Sequence, residues 1–85
     1  MTMAAETQAE MEVIHFLLHR PTPEDIIAFR PSSSVATRMY ELIDQERSGV
    51  LSEAEQHELE SYTYLEHFMR LMKAEAHRQL EQQVS

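Results

Sequence analysis

The stretch SEAEQHELESYTYLEHFMRLMKAEAHRQLEQQVS, Ser52 to Ser85, decides the fold. No glycine or proline interrupts it, and Ala, Glu, Gln, Leu and Met, which form helices readily, dominate it. Ser52 and Glu55 form an S-x-x-E capping box, and Glu53 adds negative charge at the positive end of the helix dipole. The stretch predicts one helix of roughly 30 residues, about 45 Å long, with residues 82–85 fraying. Steps of about 100° place Tyr62, Tyr64, Leu65, Phe68, Met69, Leu71 and Met72, with Ala76 and Leu80, on an arc of roughly 180°. Glu66, His67, Arg70, Lys73 and His77 take the other side. A helix packed on one neighbour needs a narrower stripe. Either several short helices of the same chain cover this arc, or part of it is an interface. The helix outlasts every preceding element, which favours the interface and predicts a homodimer.

Working back from Ser52, Gly49 is placed to adopt the left-handed conformation that closes a preceding helix. That third helix starts at the capping hydroxyls of Ser32, Ser33 and Ser34 and runs to about Arg47, with Val35, Met39, Leu42 and Ile43 as its stripe. Before it, Thr22 suits an N-cap, Pro23 the first helical position, and Glu24 and Asp25 the first turn. This second helix is short: Ile26, Ile27 and Phe29 give its apolar face and Pro31 ends it. A first helix is expected from about Thr2 to His19, with Met11, Ile14, Leu17 and Leu18 recurring at helical spacing, Pro21 stopping it, and residues 1–9 fraying. The expected fold is all-α: one domain over residues 1–85, with helices 3 and 4 as a hairpin and helix 2 as a corner.

Composition narrows the function. A chain of 85 residues makes one domain that buries a modest fraction of its surface. It has no cysteine, so neither disulfides nor thiolate zinc sites are available. Fifteen acidic against seven basic residues give a net charge of −8. Such a surface repels nucleic acid and anionic membranes, and it favours a basic protein partner. The segment Met1–Ala9 carries an acid, Glu6, and no base where a signal peptide needs a basic region, and the longest apolar run, Phe16-Leu17-Leu18, is far too short to span a bilayer. A cytoplasmic location is expected.

Two motifs bear on metals. Residues 44–55 fit the spacing of an EF-hand calcium loop, with Asp44, Glu46, Ser48, the Val50 carbonyl, Ser52 and Glu55 at the ligand positions and Gly49 at the turn. Against that reading, Glu46 is longer than the usual Asp or Asn, Ser48 is neutral, and there is no second loop to pair with. A helix ending at Gly49 before a Ser52/Glu55 capping box uses the same residues without a metal, and no cofactor is expected. His15 and His19 stand one turn apart, a zinc-ligand spacing, but Phe16 occupies the place where a zincin has its glutamate. No nucleophile constellation or phosphate-binding glycine loop is visible, and the chain is not expected to be an enzyme.

Arg20-Pro21-Thr22-Pro23-Glu24-Asp25-Ile26-Ile27-Ala28-Phe29, the Gly49–Glu55 turn, and Tyr64-Leu65-Glu66-His67-Phe68-Met69-Arg70-Leu71-Met72-Lys73-Ala74 share a further likeness. From Pro21 to about Leu80 the chain resembles a largely uncharacterised group of small, all-helical bacterial proteins, frequent in cyanobacteria. Their genes often lie just upstream of one for an HNH-type nuclease or another toxin-like enzyme. The resemblance implies an antitoxin-like or accessory role in which the small protein binds the nuclease, and it carries no active-site residues. The leading expectation is thus a non-catalytic protein-binding module. Its alternatives are a calcium-responsive module on residues 44–55 and a structural subunit of a larger assembly.

Overall fold

Hydroxyl side chains set where the helices begin. In the computed structural model, which describes residues 7–84, Thr7 Oγ1 accepts the Glu10 N–H at 3.1 Å while the Glu10 carboxylate accepts the Thr7 N–H at 2.8 Å. This capping box starts α1, Gln8–Leu18. Thr22 and Asp25 repeat it at α2, Pro23–Ala28, and Ser52 and Glu55 repeat it at α4, Glu53–Val84. Ser32 caps α3, Ser33–Arg47, through its Oγ on the Val35 N–H. The described residues contain no strand, and the fold is all-α as expected.

The boundaries differ from the sequence expectation at both ends. Residues 2–6 lie outside the described residues; α1 has its cap at Thr7, and the T-x-x-E pattern at 7–10 is the signal that marks it. Ala9, expected in a fraying segment, is buried. The last helix is regular through Val84 instead of fraying from Gln82.

Gly49 closes α3 with φ +72°, and the Val50 N–H returns to the Gln45 carbonyl at 3.0 Å. The turn sends α4 back along α3. Arg38 and Glu58 stand ten residues either side of Ser48 and face each other, with Nε and Nη2 donating to the two carboxylate oxygens at 2.9 and 2.8 Å. Leu42 is fully buried beside Val35, Leu59, Tyr62 and Ala9. Helix α1 is tied to the start of α3 by Glu12, which accepts the Ser32 N–H at 3.0 Å and the Ser32 hydroxyl at 2.5 Å. Phe16 and Phe29 pack with ring centroids 4.6 Å apart and planes tilted by 42°. All three shorter helices pack on α4. Helix α2, expected as a corner, is therefore one of its covering elements.

Of Met11, Ile14, Leu17 and Leu18, which recur at helical spacing, Met11 and Leu17 are half-buried and Ile14 and Leu18 exposed, while the fully buried residues of α1 are Ala9 and Val13. Ile14 is 44% and Leu18 73% exposed. This helix is apolar most of the way round, so periodicity does not choose a face; tertiary fit does.

Candidate interaction surface and cation-edged cleft

The broad apolar arc of α4 divides in the folded chain. Tyr62 and Met69, at one end of it, are buried with Ala76 under the shorter helices. They are core residues and not a free face. Leu65, Phe68 and Met72 are half-buried. Tyr64 and Leu71 are 71% and 58% exposed. Three- and four-residue spacing puts Tyr64, Phe68, Leu71 and Met72 side by side on one flank of α4. Beside Tyr64 a groove between α3 and α4 has Met39, Ile43 and Leu59 in its lining and Glu46 and Glu60 among its polar groups.

The hairpin supporting this surface is electrostatically fixed. Besides Glu58, the Arg38 guanidinium lies 3.6 Å from Glu55 and 3.7 Å from Glu41. The Tyr62 hydroxyl donates to Glu58 at 3.0 Å. The hydrogen bond from Arg38 is the main reason the Glu58 carboxyl sits below its usual range, with Tyr62 adding to the effect. Burial, aided by the neighbouring Glu58, pushes the Tyr62 phenol up to about 12. At Glu12, burial raises the pKa, but hydrogen bonds from Ser32 and Gln8 outweigh it and leave the carboxyl lowered.

A second feature lies where α1, α3 and the α2–α3 connection diverge over α4. A cleft of about 310 Å³ has Val13, Phe29, Val35, Leu65 and Met69 among its apolar lining and Lys73 at its edge. Glu12 and the Glu66–Arg70 pair, 2.7 Å apart, also border it. Lys73 Nζ donates to the Phe29 carbonyl at 2.9 Å, and Arg30 Nη1 donates to the same oxygen at 2.8 Å. Neither cation forms an ion pair among the described residues. Burial, then the charge of Arg30, lowers the Lys73 pKa. Sequence spacing did not bring these groups together, because residues 29 and 73 meet only through the packing of α2 on α4. The available signal was compositional: Lys73 is the chain's one lysine.

The motif at 44–55 adopts its capping geometry. Helix α3 continues through Arg47, so Asp44 and Glu46 belong to a helix and not to a loop. Glu55 accepts the Ser52 N–H at 3.1 Å and lies near Arg38. Asp44, Glu46, Ser48, Val50, Ser52 and Glu55 are thus not drawn around one point. Among the described residues, no three His, Cys, Asp or Glu side chains gather as metal ligands would. His19 Nδ1 lies 2.6 Å from the His15 carbonyl, so this ring closes the end of α1. No described helix is long and apolar enough to cross a membrane.

Comparison with protein-family models, with curated proteins and with solved structures gives no match in any of the three.

Proposed function

We propose that this chain is a non-catalytic protein-binding module that works as a homodimer and engages a basic protein partner through α4. The observation that carries the reading is the flank of exposed Tyr64 and Leu71 with half-buried Phe68 and Met72, on a helix whose opposite side is already packed. Aromatic and methionine side chains suit such a face, since rings bury much area at low entropic cost and Met adapts to shape. The acids beside the neighbouring groove, within a chain of net charge −8, favour a partner bearing Lys and Arg. The resemblance of residues 21–80 to proteins encoded beside nucleases directs the choice of partner: a nuclease or toxin-like enzyme, restrained in an antitoxin-like manner.

Light scattering on dilute protein tests the dimer. A dimer mass at micromolar concentration is expected, and Leu71→Glu together with Tyr64→Glu should yield a folded monomer. A monomer mass for the unaltered chain at that concentration overturns the dimer. For the partner, co-purification with an HNH-type nuclease from the same host, followed by a cleavage assay, decides the role. Inhibition lost in the double variant supports it; a complex whose activity is unaltered points to a structural subunit.

A further inference from the structure

We propose that the cleft under α1 and α3 binds a small amphipathic monoanion, a carboxylic acid with an aliphatic or aromatic tail, whose carboxylate is held by Lys73 and Arg30 and whose tail lies on Val13, Phe29, Val35, Leu65 and Met69. The chain carries fifteen acidic residues, yet its one lysine pairs with none of those described. Arg38, Arg70 and Arg78 each find a carboxylate, whereas Arg20, Arg30 and Arg47, like Lys73, form no ion pair among the described residues; of these four, Lys73 and Arg30 alone share one acceptor. The Lys73 ammonium has three N–H donors and makes one bond, to a carbonyl that also receives Arg30. Two like charges converging on one neutral oxygen repel each other, and an anion between them removes that cost. The Lys73 pKa, lowered first by burial and then by the charge of Arg30, would rise when the anion binds.

Lys73 and Phe29, whose carbonyl receives both cations, line the cleft, and exposed Arg30 reaches that carbonyl from outside the lining. The cleft volume, about 310 Å³, is at the small end of the range for small-molecule sites, about 300–1,000 Å³. The charge balance selects the head group. Glu12 and Glu66 border the cleft and the whole chain is at −8, so a multiply charged anion is repelled more strongly than a single carboxylate. Tyr64 and Leu71 do not line the cleft, so this site stands or falls separately from the protein-binding flank.

The test uses decanoate, with 1-decanol and acetate as its two halves. With labelled lysine the side-chain spectrum holds one signal, that of Lys73, and labelled methyl groups on Met39 and Met69 report from the cleft lining. Decanoate is expected to shift both sets saturably at millimolar concentration and to raise the Lys73 pKa. Lys73→Gln, confirmed as folded by its melting curve, should weaken binding about tenfold or more, with Arg30→Gln acting in the same direction. The proposal is overturned if decanoate produces no shift, if 1-decanol binds as tightly as decanoate, or if acetate moves the lysine signal equally well. Unchanged decanoate affinity in a folded Lys73→Gln or Arg30→Gln chain overturns it too.

Discussion

Arg38, Glu58 and Tyr62 form a chain of hydrogen bonds across the α3–α4 hairpin, and each limb of the pH–stability curve reads a different member. The folded Glu58 carboxyl lies below its ordinary value of 4.5, so the unfolded chain takes up its proton first as the pH falls. The stability it contributes is full above that value and is lost as the pH drops through the folded pKa. Arg38 and Glu58 are 34% and 24% exposed, so the pair is neither fully screened nor desolvated, and Arg38→Met should cost about 1 kcal/mol at neutral pH. Thermal melts from pH 6 to pH 3 should show a flatter acid limb in that variant. An unaltered slope would mean that the pair contributes nothing. Tyr62 acts in the opposite direction. Its folded pKa of about 12 stands above the ordinary 10, so the folded chain holds the proton longer and stability falls between those two values. Tyr62→Phe should remove that loss at high pH while lowering stability near neutrality through the missing bond to Glu58. Melting temperatures near pH 7 and pH 11 check both signs.

At the scale of helices, the signals that could be read in advance are local ones. Thr22-Pro23, Ser32, Gly49 and the Ser52/Glu55 box each fix a boundary by bonds spanning three or four residues, and a linear reading finds them. Ser52→Ala should cost about 1 kcal/mol. Gly49→Ala should cost a similar amount: nothing lies within 4 Å of the added Cβ, so the penalty is that of holding φ +72° with a side chain. Denaturant unfolding measures both, and a neutral Gly49→Ala would show that the turn relaxes elsewhere. The faces were less legible than the ends. In α1, apolar residues stand on nearly every side, and the burial of Ala9 and Val13 over Ile14 and Leu18 goes with non-local contacts, the packing on α4 and the tie of Glu12 to Ser32 across twenty residues. In α4 the arc was visible, but its division into buried Tyr62 and Met69 and exposed Tyr64 and Leu71 depends on where the other helices lie. The cation pair at the cleft is non-local in the same sense, joining residues 30 and 73 through one carbonyl. Neither periodicity nor motif spacing encodes such a meeting.

The whole molecule is elongated: it measures 52 × 32 × 20 Å with a radius of gyration of 15.4 Å, whereas a compact chain of this length would have about 12 Å. One helix about 48 Å long sets that shape, and three short helices do not cover its length on every side. Leu42 is the one large side chain that is fully buried among those described, so the monomer has a thin core, and apolar surface on α4 remains for another chain to take. Net charge then separates the two kinds of association in the proposed function. Two copies each at −8 repel, and salt screens the repulsion; a basic partner is attracted, and salt screens the attraction. Raising ionic strength from about 0.01 M to about 1 M shortens the screening length from about 30 Å to about 3 Å. Over that range the homodimer should strengthen and partner binding should slow and weaken. Light scattering follows the first and association kinetics the second. A dimer that dissociates in salt would place charge pairs, and not the Tyr64–Leu71 flank, at its interface. A partner complex indifferent to salt would remove the argument from charge and leave apolar fit alone to explain it.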